Sequence, residues 1–557
     1  MVNKIWLEAY QEGVPAEIDI HQFTSLVDVL EKSCTQYENL PAYTNMGVTL
    51  TYAEIEQQSR SFGAYLQKVA GLEKGDRVAI MLPNLLQYPV ALFGVLRAGL
   101  IAVNVNPLFT PRELEHELRD SGAKAIVILE NFAKTLERVL PTAPVETIIT
   151  TEIGDLFPFP KSTLVNFVVK YVKKMVPRWS IPDAVTFRRV LDTGRSKALD
   201  DVEITREDTA FLQYTGGTTG VAKGAALTHG NMVANILQVL AWTVPPLEPS
   251  KEVIITALPL YHIFALSVNC LCFVAIGGHN VLITNPRDFP RFIKELKKVR
   301  FTCVTGVNTL FNALLHTPGF GAIDFSALKF AAGGGMQVQR AVAESWKAVT
   351  GAPLVEAYGL TETSPVASIN PLHFEHFTGS IGLPVSSTEM SIQTDEGTLL
   401  PHGAVGEICV RGPQVMQGYW NHPEETDKAI TKDGWLRTGD IGRMDERGFF
   451  YVEDRKKDMI LVSGFNVYPN EVEDVVAAHD GVLEAAVVGV PDARRGEAVK
   501  LFVVKQDPGL SVETLLEHCK KNLTAYKVPR HIEFRDDLPK TNVGKILRRA
   551  LREEVHN

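Results

Sequence analysis

The most informative stretch of this chain is YTGGTTGVAKG, residues 214–224. Three glycines within five residues permit a tight loop whose backbone N–H groups face an anion. The segment FLQY before it predicts the end of a strand and NMVANILQVL (231–240) predicts a helix, so we expect the loop between them to bind a polyphosphate. The candidate binding residues are Tyr214, Thr215, Gly216, Gly217, Thr218, Thr219, Gly220 and Lys223.

The loop differs from a Walker A motif, because no Gly-Lys-Ser/Thr sequence closes it. Gly544-Lys545 does not supply that motif either, since Pro539 occupies the position of its first glycine. A Gly/Thr turn with a purely structural role is the alternative interpretation.

Around this loop, the N-terminal sequence alternates between strand-like and helical segments. DRVAIMLP (76–83) and AKAIVILE (123–130) are short apolar runs between turn residues, which predicts buried strands. YPVALFGVLRAG (88–99) predicts a helix that ends at Gly99. This alternation is typical of α/β layers with parallel strands.

The C-terminal residues predict a separate, small α+β domain. Asn470 is expected to cap a helix that ends near Ala478, because Glu473 follows it by three positions. The charged cluster DRKKD (454–458) precedes this unit, so we place the domains at 1–455 and 456–557. A second helix is expected at 511–523 and strands at 484–491, 498–505 and 530–536.

Composition and charge narrow the function classes. The 557 residues suffice for several domains, and the net charge of −9 argues against binding to nucleic acid. The 6 cysteines are scattered, which indicates buried thiols in a reducing compartment. The N-terminal sequence shows no apolar secretory signal, so we expect a cytoplasmic protein.

Residues 253–286 contain no Asp, Glu, Lys or Arg. A span of about 20 apolar residues can cross a bilayer. However, Pro259, His262 and Asn269 interrupt this run, and such residues are unfavourable in lipid. We predict a buried helix flanked by strands; a membrane-spanning transporter would require the run to insert.

Residues 162–179, STLVNFVVKYVKKMVPRW, predict a basic amphipathic helix that Pro177 terminates. At about 100° per residue, the apolar residues fill one broad arc, and Asn166, Lys170, Lys173 and Lys174 fill the remaining arc. One interpretation is a surface helix that packs on the core. The other is a helix that lies on an anionic membrane surface.

Further motifs follow the glycine-rich loop. In chain order they are PLYHIF (259–264), GGG (333–335), YGLTET (358–363), TGD (438–440), DRKKD (454–458) and PKTNVGK (539–545). Together they resemble the motifs of the adenylate-forming acyl-activating enzymes over nearly the whole chain. The resemblance is greatest with bacterial long-chain fatty-acid–CoA ligases (long-chain acyl-CoA synthetases), through GWLRTGDIG (434–442) and KKDMILVSGFNVYPNEVE (456–473).

This resemblance implies an α/β fold and a two-step reaction. The large N-terminal part has several α/β subdomains and one β-rich subdomain, and the small C-terminal domain is mobile. A medium- or long-chain fatty acid attacks the α-phosphate of ATP and releases pyrophosphate; the thiol of coenzyme A then displaces AMP. Because a carboxylate and a polyphosphate repel each other, the first step requires well-placed cations. The acyl-CoA would feed fatty-acid degradation by β-oxidation or lipid synthesis.

The resemblance also implies roles for individual residues. Glu362 would hold Mg²⁺ and Thr361 would contact the α-phosphate. Tyr358, followed by Gly359, would stack on adenine. The glycines that would let the backbone approach the base are Gly333, Gly334 and Gly335.

Asp440 accepts hydrogen bonds only, so it suits the two ribose hydroxyls, and Arg455 would reach the ribose or the phosphate. Lys545 would bridge the substrate carboxylate and the α-phosphate. The family's hinge falls on Lys457, whose rotation would bring Ser463-Gly464-Phe465 to the pantetheine channel.

The segment 258–266 favours an uncharged acyl chain. Amino-acid-activating relatives have an Asp here to pair with the substrate ammonium, and this segment has no acid. His262 would position the acyl carboxylate; a core histidine is the alternative. Residues that can line an apolar channel are Phe264, Leu266, Val268, Val304, Gly306, Val307 and Leu310.

Three positions depart from the family pattern. Gly216 and Ala222 stand where many members have Ser and Pro, which affects individual phosphate contacts rather than the class. Leu266 stands where some long-chain members have a Trp that gates the channel, so no Trp gate is expected here.

A long acyl substrate partitions into membranes. We therefore expect a cytoplasmic protein bound peripherally to the cytoplasmic face of the inner membrane, and the resemblance suggests a homodimer. Two alternatives stay open. The acyl group could pass to a carrier-protein thiol, or the chain could bind fatty acid or nucleotide without turnover.

Overall fold

The computed structural model describes residues 3–143, 145–215, 222–243, 246–374, 376–492 and 494–556. We call residues 3–455 the large part and residues 456–556 the small unit. Within the described residues, the large part contains three sheets and the small unit contains one.

The first sheet has eight strands and contains the strand that leads into the glycine-rich loop. Its strands are parallel except for the last two of the row, which pair antiparallel. In spatial order they are Val185–Thr186, Thr147–Thr151, Ala125–Leu129, Arg77–Met81, Ile101–Asn104, Thr209–Thr215, Lys223–Thr228 and Gly418–Tyr419.

The second sheet has nine strands and is parallel through its centre. An antiparallel strand or pair of strands closes each end. In spatial order the strands are Leu383–Pro384, Val366–Ile369, Leu354–Gly359, Phe330–Gly333, Cys303–Gly306, Val253–Thr256, His279–Leu282, Pro41–Asn45 and Val48–Thr51.

The remaining two sheets lie on either side of the DRKKD segment. An antiparallel sheet of Glu389–Gln393, Gly406–Arg411, Leu436–Met444 and Phe450–Arg455 forms the β-rich end of the large part. The small-unit sheet contains Ile460–Val462, Phe465–Val467, Val482–Asp492, Gly496–Lys505 and His531–Arg535. The expected α/β architecture with a β-rich subdomain and a small α+β unit is confirmed.

Helices cover the sheets. The α-helices are Leu26–Gln36, Tyr52–Lys68, Gln87–Arg97, Pro111–Ser121, Ala133–Val139, Lys161–Phe167, Phe187–Arg195, His229–Thr243, Phe273–Ala275, Phe289–Leu296, Asn308–Leu315, Arg340–Thr350, Pro423–Ala429, Pro469–Ala477, Val512–Asn522 and Arg548–His556. Val168–Val172 and Ala265–Cys272 are π-helical, and Ile5–Ala9, Glu130–Phe132, Phe320–Ala322 and Thr361–Thr363 are 3₁₀ turns.

One continuous apolar core joins the faces of the two large sheets, and the small-unit sheet buries apolar residues on both of its own faces. Since consecutive parallel strands end at the same edge of a sheet, the segments that follow them come together there.

The glycine-rich segment is where the expected order of elements is wrong. Residues 223–228 form a second strand that pairs antiparallel with Thr209–Thr215 before the helix begins at His229. The short run from Ala225 to Leu227 is fully or almost fully buried, and pairing satisfies its backbone groups. The six residues Gly216 to Val221 lie outside the described residues.

Two helix ends also differ from expectation. Tyr468, not Asn470, caps the helix Pro469–Ala477, because a proline at the first helical position suits its fixed φ. The helical stretch that begins at Lys161 ends at Val172, well before Pro177, and Lys174 adopts a left-handed conformation with φ 52°.

The uncharged run 253–286 folds as expected. Strands Val253–Thr256 and His279–Leu282 flank the helical residues 265–275, which lie in the core. Nowhere in the described chain is a helix both long enough and apolar enough to span a bilayer.

Candidate active site

A cavity of about 340 Å³ lies between the large part and the small unit. Both contribute to its walls, so the site depends on how they are placed relative to each other. Of the residues predicted from the sequence, those that line it are Gly333, Gly335, Tyr358, Gly359, Asp440, Arg455, Lys457 and Lys545.

The glycines stand where neighbouring parallel strands of the second sheet end. A Cβ on Gly333 would lie 2.6 Å from Val338 Cγ2, and one on Gly334 would lie 3.1 Å from the Ala357 carbonyl oxygen. Gly335 has φ 76°. Backbone therefore forms this wall of the cavity at Gly333 and Gly335. A larger residue would have to displace Val338 at position 333, and at position 335 it would have to adopt a left-handed backbone.

Gly359 is required by backbone packing. A Cβ there would lie 2.0 Å from the carbonyl oxygen of Pro365. Gly359, the second residue of YGLTET, is therefore required by the fold, whether or not it also contacts a ligand.

Tyr358, Asp440 and Arg455 form one connected group. The Tyr358 hydroxyl donates to Asp440 Oδ2 at 2.6 Å, and Arg455 Nε lies 3.0 Å from Asp440 Oδ1. Asp440 faces Arg455 across two paired strands of the antiparallel sheet, which fixes their register. Burial, together with the Asp440 charge, holds the pKa of Tyr358 well above its usual value, and Asp440 raises the pKa of Arg455.

Lys545 reaches the cavity from the small unit. Its backbone N–H donates to Thr541 Oγ1 at 3.1 Å, and its carbonyl oxygen accepts from the Thr541 N–H at 2.6 Å. Thr309 of the large part donates to the Gly544 carbonyl oxygen at 2.7 Å, which docks this turn. Burial and the nearby charge of Arg455 lower the pKa of Lys545 to about 8.

His262 is a residue of the large part whose ring lies within the electrostatic influence of Lys545. Burial, followed by the positive charge of Lys545, lowers its pKa to about 4, so the ring is neutral near pH 7.

Glu362 is positioned by Tyr419, a residue that the sequence did not single out. The Tyr419 hydroxyl donates to Glu362 Oε1 at 2.7 Å, and the Met416 N–H donates to the Glu362 carbonyl oxygen at 2.8 Å. The ammonium of Lys223 lies 4.7 Å from the centre of the Tyr419 ring and 2.5 Å from Glu425. Tyr419 thereby connects the glycine-rich segment to YGLTET. No signal in the sequence indicates this role, because the pairing of Gly418–Tyr419 with residues 225–226 is a feature of the tertiary structure.

Not every predicted residue lines the cavity. The Tyr214 hydroxyl points to Asp120 Oδ2 at 2.6 Å, and Thr215 Oγ1 lies 3.5 Å from the Lys223 carbonyl oxygen. Thr361 lies in the turn before Glu362. The predicted residues that are absent from the walls of this cavity are Tyr214, Thr215, Lys223, Gly334, Thr361, Glu362 and His262. Gly216, Gly217, Thr218, Thr219 and Gly220 lie outside the described residues.

Lys457 follows the last strand of the large part. Its Nζ is buried and has no hydrogen-bond partner in the described chain. Burial, then the charge of Arg455, lowers its pKa to about 8. A buried ammonium without a partner is costly, so this side chain faces the cavity at the expense of stability.

A buried ionic cluster spans the joint beside Lys457. Arg548 Nη1 lies 3.0 Å from Asp454 of the large part, and Arg548 Nη2 lies 2.6 Å from Glu473 of the small unit. The Asn470 N–H donates to Asp454 Oδ2 at 2.8 Å. Although burial opposes its charge, Glu473 and Asp454 raise the pKa of Arg548. Sequence analysis missed this cluster because its partners are far apart in the chain.

The residues proposed to line an acyl channel are packed in the core. Leu266, Val304 and Val307 are buried there, and a Cβ on Gly306 would lie 2.8 Å from the Phe311 ring. Phe264 lies 3.3 Å from the Cβ position of Gly334, which places this apolar region beside the cavity. The channel itself stays a prediction.

Two family models match this chain. The model of the AMP-binding enzyme covers residues 30–420, and the model of the AMP-binding enzyme C-terminal domain covers residues 471–545. The chain belongs to this family. A long-chain-fatty-acid–CoA ligase of Escherichia coli O6:H1 (strain CFT073) is 59% identical over 554 residues, which span 100% of this chain and 99% of that protein.

Solved structures of AMP-binding enzymes share the fold. The anthranilate CoA ligase AuaEII in complex with anthranoyl-AMP has a TM-score of 0.85 at 26% identity, over 96% of this chain and 98% of that one. ATP-bound MatB from Rhodopseudomonas palustris has a TM-score of 0.81 at 27% identity, and apo MatB has 0.70 at 28%; each covers 95% of this chain and 98% of its own. The present arrangement is therefore more similar to the ATP-bound form of MatB than to its apo form.

Proposed function

We propose that this AMP-binding enzyme converts long-chain fatty acids to acyl-CoA thioesters through an acyl-adenylate, using ATP and coenzyme A. The observation that carries the proposal is the entry of Lys545 into a cavity whose other walls hold Tyr358, Asp440 and Arg455. Full-length relatives from Escherichia coli O6:H1 and Haemophilus influenzae, 59% and 55% identical, are long-chain-fatty-acid–CoA ligases.

The large part would bind the nucleotide. Asp440 retains acceptor capacity beyond its bonds to Tyr358 and Arg455, which suits the two ribose hydroxyls. The glycine wall from Gly333 to Gly335 gives a flat base access to backbone, and the Tyr358 ring offers it a stacking surface.

The small unit would supply the cation for adenylation. A carboxylate oxygen forms a bond to the α-phosphorus while the bond to the pyrophosphate oxygen breaks. With a pKa of about 8, Lys545 is protonated at pH 7 and can lie between the two anions. Neutral His262 can donate a hydrogen bond to the fatty-acid carboxylate.

Glu362 would hold Mg²⁺. Among the described residues, no three His, Cys, Asp or Glu side chains are grouped as a metal site. This fits an ion that usually takes one or two protein carboxylates and completes its shell with water and substrate phosphates. Tyr419 fixes the carboxylate of Glu362, and the bound ion would add positive charge beside the phosphates.

Thioester formation would require the small unit to move. In that step the sulfur of coenzyme A bonds to the acyl carbon while the bond to the adenylate oxygen breaks, and AMP leaves. Ser463, Gly464 and Phe465 are exposed in this arrangement and do not line the cavity. Rotation about Lys457, with the domain boundary between residues 455 and 456, would replace Lys545 by this segment.

The apolar, acid-free surroundings of His262 support a fatty acid as substrate. Such a substrate resides in membranes, and peripheral association with the membrane is part of the proposal. The homodimer is a further prediction, for analytical ultracentrifugation to test.

Acid-dependent exchange of pyrophosphate into ATP tests the proposal. We expect exchange with fatty acids across a chain-length series, and acyl-CoA when coenzyme A is added. Exchange without thioester would instead indicate a carrier-protein acceptor. No exchange with any fatty acid would refute the proposed substrate class.

A further inference from the structure

The helical stretch Lys161–Val172 turns two polar residues, Asn166 and Lys170, toward the protein beside Val165 and Val169, which pack against the core. Asn166 Oδ1 accepts from the Gly154 N–H at 2.7 Å, and its amide donates to Glu152 at 3.0 Å. Lys170 Nζ donates to the buried carboxylate of Glu130 at 3.0 Å. The residues that an ordinary amphipathic surface helix turns to water are therefore used as anchors.

Other apolar residues of this stretch and of its flanks face outward. We call them the outward apolar face: Phe159, Leu164, Phe167, Tyr171, Val172 and Met175, which are 83%, 63%, 53%, 62%, 63% and 52% exposed. The Phe167 and Tyr171 rings pack on each other with centroids 5.2 Å apart, so the middle of this face is a joined aromatic surface. Contiguous exposed apolar surface on a folded protein marks an interaction site.

Basic residues border the face. Lys173, Lys174 and Arg178 are exposed, and none forms an ion pair with a carboxylate of the described chain. Two acids of this region are already paired with other cations: Lys170 pairs with Glu130, and Arg188 pairs with Asp155 at 3.3 Å. On a chain of net charge −9, this leaves a local positive charge next to exposed apolar surface.

We propose that the outward apolar face docks on an anionic phospholipid bilayer, with its side chains in the acyl boundary and Lys173, Lys174 and Arg178 at the phosphates. Apolar residues bordered by unpaired basic ones match the two layers that a bilayer presents. This deepens the peripheral association proposed above and assigns it to one surface. It rests on the fatty-acid substrate for its biological purpose, but the binding itself does not require catalysis.

Co-sedimentation of the full-length protein with phosphatidylglycerol/phosphatidylethanolamine vesicles is the main test. Leu164→Ser, Phe167→Ser and Tyr171→Ser together should weaken binding at least tenfold. The matched control combines Val349→Ser, Leu399→Ser and Val405→Ser, three apolar residues that are 42–46% exposed elsewhere, and should bind like wild type. Equal binding by both triple variants, or no binding by wild type, overturns the proposal.

The basic border is tested separately. Lys173→Glu with Lys174→Glu should weaken binding to anionic vesicles about tenfold or more. Binding to phosphatidylcholine vesicles should change much less. Lys520→Glu with Lys521→Glu makes the same charge change on the exposed small-unit helix and should have little effect. If both double variants lose vesicle binding equally, the effect comes from net charge rather than from this border, and the proposal is wrong.

A labelled cysteine reports where the bilayer contacts the protein. All six native cysteines are buried, so Val172→Cys can carry an environment-sensitive fluorophore. Anionic vesicles should shift its emission to the blue, whereas the label at Val405→Cys should not respond.

Two controls distinguish a loss of membrane binding from misfolding and from dissociation of a dimer. Pyrophosphate exchange with water-soluble octanoate should be unchanged in the Leu164/Phe167/Tyr171 variant, which shows an intact fold; loss of vesicle binding with normal exchange then concerns only this surface. If the same variant instead converts a dimer to a monomer without vesicles, the face is an interface between copies of this chain and the proposal is wrong.

Discussion

The two sides of the cavity between the large part and the small unit are held by different kinds of contact. On the large part, Asp440 is fixed by strand register and by bonds to Tyr358 and Arg455. On the small unit, Lys545 lies in a turn that receives one hydrogen bond from the large part among the described residues, from Thr309, and Lys457 Nζ has no hydrogen-bond partner there. This difference suits the large part to hold a ligand and the small unit to move into and out of the cavity.

The comparison predicts that Lys545→Ala disables one half-reaction only. Pyrophosphate exchange should fall by about 10²–10³, the usual cost of removing one group that stabilises transition-state charge. Thioester formation from supplied acyl-adenylate and coenzyme A should persist, because Lys545 would then be outside the cavity. Lys540→Ala, in the same motif but paired with Glu484, is the control and should retain exchange. If Lys545→Ala slowed both half-reactions equally, Lys545 would not act in adenylation alone and the prediction would be wrong.

Asp440→Asn should affect both half-reactions, since the AMP moiety stays on the large part throughout. Hydrogen bonds to charged groups contribute roughly 1.5–3 kcal/mol, so KM for ATP should rise about tenfold to a hundredfold. Tyr358→Phe removes only the neutral hydroxyl that donates to Asp440, so it should raise KM for ATP less than Asp440→Asn does. Steady-state kinetics of each half-reaction measure this; a defect confined to adenylation would place Asp440 with the moving side instead.

Asp454→Asn tests the ionic cluster at the joint. Asp454 belongs to the large part and Glu473 to the small unit, yet both contact Arg548. Losing the contact that crosses the joint should slow adenylation about fivefold relative to thioester formation. Glu473→Gln keeps the contact between Arg548 and Asp454 across the joint. It should lower Tm without changing the ratio of the adenylation rate to the thioester-formation rate. If both variants shift the ratio equally, the cluster serves stability alone.

The pH dependence should separate the two cavity lysines. The pKa of Lys545 is lowered from 10.5 to about 8, so its ammonium is lost as pH rises through about 8. For the free enzyme, kcat/KM of adenylation should halve near that pH and fall further above it. Lys457 has a similarly lowered pKa of about 8. Lys457→Met should therefore keep the alkaline decline; a flat profile in that variant would assign the decline to Lys457.

Much of the fold could be predicted from local patterns of apolar and polar residues in the sequence. The apolar runs at 76–83 and 123–130 became the strands Arg77–Met81 and Ala125–Leu129, because a short run that buries both faces has few alternatives in an α/β layer. The strand Lys223–Thr228 was missed because its pairing partner, not its own composition, makes it a strand. The orientation of Lys161–Val172, which turns Asn166 and Lys170 inward and leaves much of the apolar arc exposed, was equally unpredictable, since periodicity defines the two arcs of a helix but not which residues face the core.

The sequence by itself determined the α/β class, the order of the motifs and hence the family, because these depend on residues close together in the chain. Only the tertiary structure decided that Tyr358, Asp440 and Arg455 form one group and that Lys545 faces them. It also decided that Tyr419 holds Glu362 and that Arg548 ties Asp454 to Glu473. Those contacts join segments far apart in sequence. Their distances are set by how sheets and domains pack, which no local pattern encodes.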